Sequence, residues 1–393
     1  MKLGCESSRL RESGAACRWT SLLLYVAFAV GLNSGPPAKA QRAVARPDRL
    51  PVMEDGKFGF INLQGVLRIE PQYQGIGRFS DGLCAVYIDG KWGCINEDGK
   101  VVIAPRFESC FLFDHGLAFV QEDGRRFFVR SDGSRALDLT LDSARGFSER
   151  LALVRKGGLW GWIDLAGMME IQPLYEDAGD FREGLANVKK HGRWGFIDRE
   201  GKTIVDFRFD EASHFRDGRA RVRTEDQWGM IDKAGSFVIE PRFEFLGEFS
   251  EGLVVASLRD ELLFIDTGGA VVFRGPKRPV TYFYDGLIAA GSDGRSDCRW
   301  GFMDKSGRWA VEPRFDKADF FCEGLGAVRE VGGLWGYVDQ TGAWVIDPHF
   351  ARAGCFIDGL AEVTLESGGG ETLTTYIRKD GSFLWKPRGS EVP

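Results

Sequence analysis

The chain predicts an all-β repeat protein of about ten tandem three-stranded antiparallel meanders, and three observations predict it. A glycine recurs at Gly82, Gly116, Gly184, Gly218, Gly252 and Gly286, at intervals that are multiples of 34 residues, with Arg150 in the one missing slot. Steps of 38 and 35 residues then lead to Gly324 and Gly359. An aromatic-Gly pair keeps the same beat at Phe58-Gly59, Trp92-Gly93, Trp160-Gly161, Trp194-Gly195, Trp228-Gly229, Trp300-Gly301 and Trp335-Gly336, with Phe127-Phe128, Leu263-Phe264 and Thr375-Tyr376 as degenerate copies. A phenylalanine precedes the glycine by three residues in most units: Phe79, Phe113, Phe181, Phe215, Phe249, Phe283, Phe321 and Phe356, with Phe147 ahead of Arg150. A fixed period of this length marks one supersecondary unit copied along the chain. The first unit opens near Arg49, which makes ten.

Residues 1–40 are expected to stand outside this array. Arg9, Arg11 and Arg18 give a basic start, and Trp19 to Leu32 is an apolar run of 14 residues. That is short of the roughly 20 needed to span a bilayer. Ala38-Lys39-Ala40 is a small-x-small cleavage signal before Gln41. The pattern is that of a secretory signal peptide cleaved after Ala40, with an uncleaved anchor as the alternative. Cys17 is not read as a lipidation site, because the apolar run follows it instead of preceding it. Residues 41–48 are a short tether, and 49–393 form the array. The predicted location is therefore periplasmic or extracellular.

Within one unit, Leu83 to Ile88 reads as a strand, and Asp89-Gly90 as a two-residue hairpin turn. Lys91 to Asn96 returns, Glu97-Asp98-Gly99 turns again, and Lys100 to Ile103 is a third strand that Pro105 is expected to end. About a dozen residues of loop lead to the next unit. The middle strand is apolar on both faces: Trp194 and Phe196 point one way and Ile197 the other, beside Gly195. Trp92 with Cys94, Trp160 with Trp162, Trp228 with Met230, and Trp335 with Tyr337 repeat this. A single three-stranded sheet cannot cover both faces of its own middle strand, so neighbouring units are expected to cover each other. Gly195 is expected to let a neighbouring aromatic ring lie against the backbone.

Removing residues 1–40 takes away five basic and two acidic residues and moves the net charge from −6 to −9. A mildly acidic chain argues against a nucleic-acid surface, which needs a basic stripe. Six cysteines remain: Cys84, Cys94, Cys110, Cys298, Cys322 and Cys355. Export permits disulfides. With Asp89-Gly90 at the tip, Cys84 faces Ile95 and Cys94 faces Ala85, so those two thiols point to opposite faces. Cys322 and Cys355 hold near-equivalent places in adjacent units and could meet; the alternative is buried free thiols in small core slots.

The sequence predicts no catalytic, cofactor-binding or metal-ligating residue. His115, His191, His214 and His349 occupy different slots of different units. No HExxH, CxxC pair, GxSxG or phosphate-binding glycine loop is present. Acids recur before the opening glycine (Asp81, Glu183, Asp217, Glu251, Asp285, Glu323, Asp358) and after the central strand (Asp164, Asp198, Asp232, Asp266, Asp304, Asp339). Arginines recur after the proline slot (Arg106, Arg208, Arg242, Arg314). These read either as a carboxylate ladder for calcium or a cationic partner, or as turn chemistry with Asp accepting local N–H groups and pairing to Arg; the second is favoured. The tryptophans read as core before they read as a sugar-stacking surface.

Gly-x-Trp-Gly-Phe-Ile-Asp-x-x-Gly-Lys, as at Gly192 to Lys202, runs on to Pro-Arg-Phe, as at Pro241 to Phe243, and then to Phe-Ser-Glu-Gly-Leu, as at Phe249 to Leu253. This unit resembles the WG-repeat, or KWG-repeat, family of bacterial proteins, over nearly everything from about 49 to 387. The resemblance implies an all-β array in proteins that are often exported and have binding roles, with no catalytic residues to carry over. The units at Phe127, Phe264 and Tyr376 lack the Trp-Gly pair, and Pro276 to Val280 disturbs the loop after Phe264, so the stack is expected to bend or loosen there.

The expected architecture is an open solenoid or superhelix, with a β-propeller as the rival. Ten blades exceed the usual number, and no strand is left over to close a ring. The expected function is a non-enzymatic protein-binding scaffold of the cell envelope or extracellular space. A cell-wall or polysaccharide-binding module is the alternative, and a hydrolase with a site spread over several units comes third.

Overall fold

The structure, a computed structural model, describes residues 49–137, 141–259, 261–275, 278–279, 282–292, 298–366 and 372–386. The predicted signal segment and tether lie outside the described residues, as do Pro276, Lys277 and Val280. Among the described residues every regular element is a strand, and the strands form ten separate antiparallel sheets. In chain order these are blades 1 to 10: residues 50–73, 75–107, 117–137, 143–175, 177–209, 211–243, 245–274, 278–315, 317–350 and 352–378.

The hairpin expectation holds to the residue. Leu83–Ile88 pairs with Lys91–Asn96 in the register Cys84↔Ile95 and Ala85↔Cys94. Asp89 and Gly90 both take positive φ (47° and 87°), as a type I′ turn requires. The two-sided burial of the central strand is also present. Phe196 packs with Phe215 and Val222 of the following blade, while Ile197 packs with Leu153 and Trp162 of the preceding one.

Two features differ from the expected meander. A short leading strand precedes the hairpin, so most blades have four strands. It is six residues long at Gly75–Ser80, Ser143–Ser148 and Lys317–Cys322, and two residues at Asp177–Ala178, Glu211–Ala212 and Phe245–Leu246. The stretch read as loop thus begins with backbone pairing. The trailing strand also does not stop at proline. It runs through it, as in Val101–Phe107 and Phe237–Phe243. Proline is tolerated because this strand is the edge of its sheet and is bulged there: Trp92 pairs with Phe107 but Cys94 pairs with Ile103.

That bulge explains the glycine of the Trp-Gly pair. A Cβ on Gly195 would lie 2.6 Å from the Val205 carbonyl oxygen, and one on Gly93 would lie 2.6 Å from that of Ile103. The neighbour pressed against the glycine is therefore the trailing strand's own backbone, not the expected aromatic ring. The rule has a visible converse. All seven blades with aromatic-Gly have a trailing strand of seven residues. Where Phe128 and Phe264 replace the glycine, the trailing strand among the described residues is Arg135–Leu137 and Val271–Arg274. Blade 10, with Tyr376, shows among the described residues a single bridge from Ile377 to Phe383 in this place. The array departs from regularity at these units by losing trailing pairs, while its blade-to-blade cores persist.

The open solenoid is overturned. Leu50, Val52 and Ile61 of blade 1 bury themselves against Leu360, Tyr376 and Leu384 at the other end of the array. The fold is a ten-bladed β-propeller, the stated rival. Closure needs no exchanged strand. The first and last blades each carry one apolar face without a sequence neighbour, and packing these two faces together removes both from water. Cys322 and Cys355 are disulfide-bonded, with Cα atoms 5.7 Å apart, and tie blade 9 to blade 10. Cys84 and Cys94 are buried free thiols.

Candidate binding site

The recurrent acids before the opening glycine all sit at positive φ, for example Asp81 (52°), Glu183 (54°) and Glu323 (55°). From this conformation the carboxylates of Asp81, Glu183, Glu251, Asp285 and Glu323 reach the next blade. The N–H of Gly116 donates to Asp81 Oδ2 (2.8 Å), that of Gly218 to Glu183 Oε2 (3.0 Å), that of Gly286 to Glu251 Oε2 (3.0 Å), and that of Gly359 to Glu323 Oε2 (3.0 Å). Glu149, before Arg150, accepts from Gly184 in the same way. Lysines of the following blade close the contact: Lys233 Nζ lies 3.2 Å from Glu183, Lys305 Nζ 2.9 Å from Glu251, and Lys379 Nζ 3.1 Å from Glu323. Partial burial pushes the Glu183 carboxyl up, but the bonds from Gly218 and Lys233 outweigh it and hold the group below the usual range; Glu323 behaves alike, through Gly359 and Lys379.

The second acidic series makes local turns, as expected. Asp198 Oδ1 accepts from the N–H groups of Glu200 and Lys202, and Asp266 Oδ1 from those of Gly268 and Ala270. The arginines do not pair with these aspartates. Arg106 donates to the Gly133 carbonyl (2.5 Å), Arg208 to that of Gly235 (2.6 Å), Arg242 to that of Gly269 (2.8 Å), and Arg314 to that of Gly342. Each bridges to the turn of the following blade. The acids before the opening glycine and the arginines after the proline thus link neighbouring blades, while the second acidic series shapes the turns within each blade.

The tryptophans of the Trp-Gly pairs are half-buried, and Trp162 is fully buried. The histidines stay apart. His115 and His191 occupy turns, and His349 lies against Phe350 with ring centroids 3.8 Å apart. No group of three His, Cys, Asp or Glu side chains that could hold a metal occurs among the described residues.

His214 leads to a place where the repeat is broken by charge. Its hairpin strand, Arg219–Thr224, carries Arg219 and Arg221 where blade 2 has Leu83 and Ala85 and blade 4 has Leu151 and Leu153. Arg216 stands where blades 2, 4 and 7 have Ser80, Ser148 and Ser250. Across the interface, blade 7 supplies Glu248. Arg216 Nη1 lies 3.1 Å from Glu248 Oε2, and Arg221 Nη2 lies 3.8 Å from Oε1. Arg221 Nη1 also donates to the Leu246 carbonyl (2.7 Å). Arg221 lies over the Trp228 ring (5.4 Å) and Arg219 over Phe249 (5.4 Å). Burial, then the charges of Arg182, Arg216 and Arg221, hold His214 below its ordinary pKa against the pull of Glu248. His214, Arg216, Arg219, Arg221, Glu248 and Phe249, with Ser213, Asp217 and Met230, line a cavity of about 40 Å³. No sequence motif marks this cluster; its signal lies in the register of the units, since no other unit has arginine in both of the slots held by Arg219 and Arg221.

Among solved structures, the fold is similar to BamB from Moraxella catarrhalis, at 11% identity and TM-score 0.34 over 83% of this chain and 95% of that one. It is also similar to PorZ of Porphyromonas gingivalis, at 13% identity and TM-score 0.25 over 86% and 58% of the two chains, and to the tricorn protease, at 12% and 0.28 over 83% and 45%. No curated protein matches the sequence. The model of the WG containing repeat matches seven times, over residues 58–92, 92–125, 160–194, 194–228, 228–260, 300–335 and 335–367. These matches cover more than half of the chain, which therefore belongs to the WG containing repeat family.

Proposed function

We propose that this propeller is a non-enzymatic scaffold of the cell envelope or extracellular space that binds another protein. One observation carries the reading. The trailing strands lie at sheet edges and expose apolar side chains that the blade contacts do not use: Val101, Val102, Ile204, Val271, Val272 and Val345. An edge strand with exposed β-branched residues suits docking of a partner's extended segment or apolar face. The 1–40 segment supports export, as does the Cys322–Cys355 bridge, which an oxidising compartment sustains.

The test is capture from solubilised envelope with the full chain as bait and purified peptidoglycan as competitor. A protein partner should be retained by the wild type and lost when Val101, Val102, Val271 and Val272 are replaced by Lys. Retention on peptidoglycan without any protein partner would move the assignment to the glycan-binding alternative. N-terminal sequencing of the mature protein should begin at Gln41.

A further inference from the structure

We infer that the wedge between blades 6 and 7, built on Arg216, Arg219 and Arg221, is a binding site for a carboxylate group. The inference rests on the scaffold reading and supplies the chemistry of the group the partner presents. Its first support is the break in the repeat. Blades 2, 4 and 7 hold Ser-x-x-Leu-x-apolar at these three slots, and their interfaces pack well with it. Blade 6 substitutes all three with arginine, so blade packing does not require the charges. The second support is the charge count. Three guanidinium groups line the cavity against two carboxylates, Glu248 and Asp217, which leaves one positive charge in excess. The third is an unsatisfied donor. Arg221 Nε is buried and has no hydrogen-bond partner, while its Nη groups are engaged by Leu246 and Glu248. Buried donors are rarely left so, and each such group in a folded protein asks for a partner.

The size of the cavity admits a small planar head group. About 40 Å³ holds about three water-sized groups, the heavy-atom count of a carboxylate head. Planar guanidinium groups match that head through paired N–H donors. The aromatic rings of Trp228 and Phe249 hold Arg221 and Arg219 in place, so little side-chain freedom remains to be lost on binding. The group's source is a chain terminus or an acidic side chain of the partner, or a small free carboxylate of the same chemistry.

Trp228 makes the site observable, since Arg221 lies on its ring. Acetate titrated into the full chain at constant ionic strength should change tryptophan emission saturably, and Trp228→Phe should remove that change while a thermal shift persists. E248Q, which removes the resident competitor, should tighten acetate binding about tenfold. The variant R216S/R219L/R221A/E248L restores residues other blades use (Ser80, Leu83, Ala85, Leu112); it should fold and lose the response. A peptide with a free C-terminus, its amidated form, and acetate itself distinguish the sources. The site is overturned by no saturable response in both wild type and E248Q, or by an unchanged response in the restored variant. Loss of protein capture with the acetate response intact counts instead against the scaffold reading.

Discussion

Gly195 and the Val205 carbonyl are in direct contact across the Trp-Gly strand and the bulged trailing strand, and a Cβ on Gly195 would sit 2.6 Å from that oxygen. Backbone cannot move aside as a side-chain tip can. Gly195→Val should therefore cost about 3 kcal/mol or more, in the upper range of overpacking. Gly192→Ala, at a turn where a Cβ meets nothing within 4 Å but φ is +74°, should cost less, about 1 kcal/mol. Urea denaturation of the two variants checks the order; a Gly195→Val protein as stable as wild type would remove the bulge as the reason for the motif.

Much of this was legible from the chain because the period is fixed and the turns are short. The hairpin register at Cys84↔Ile95 follows from Asp89-Gly90 alone. Ring closure was not legible, for a physical reason. A solenoid and a propeller bury the same faces between neighbours and differ only at the end blades, where Val52 meets Tyr376. Leading strands such as Glu211–Ala212 are too short to show an alternating pattern. Asp-Arg pairing was expected because both types recur near turns, but Arg242 spends its guanidinium on the Gly269 carbonyl 27 residues away.

The blade-to-blade carboxylates predict a pH dependence. Glu183 and Glu323 have folded-state pKa values below their ordinary ones, so the native state binds fewer protons than the unfolded chain in the acid range. Their contribution is fully present above the ordinary carboxylate range, about pH 4.5, and is lost as pH falls through the lowered values. The variant E183Q/E323Q keeps acceptors but no charge. It should be less stable than wild type by about 1–2 kcal/mol at pH 7, a figure discounted because Lys233 and Lys379 are partly in solvent. The two proteins should converge in denaturant titrations as pH falls through the lowered values. A constant difference across this range would show that these carboxylates are not tuned by their neighbours.

The Cys322–Cys355 bridge spans 33 residues and joins consecutive blades. Cross-linking a loop of that length restricts the unfolded chain and is worth about 2–4 kcal/mol. C322S/C355S should fall below the oxidised wild type by that amount, and adding a thiol reductant should bring the wild type down to the double mutant. If reductant leaves the wild type's melting temperature where it was, the bridge does not contribute to stability.

The closing contact is the most consequential of these. Every internal blade has two sequence neighbours, but blades 1 and 10 meet only because the ring shuts, through Leu50, Val52 and Ile61 on Leu360, Tyr376 and Leu384. Val52 is 2% exposed, so Val52→Asp would bury an unpaired carboxylate, at a cost of several kcal/mol. That cost can be relieved by opening the seam instead of unfolding the whole chain, because the nine internal interfaces do not involve Val52. Small-angle scattering should then show a larger maximum dimension for Val52→Asp than for wild type, with faster amide exchange concentrated in 50–61 and 372–378. Val66→Asp, at a site 52% exposed on the same blade, should leave both unchanged. An extended profile for the wild type itself would return the molecule to the open array.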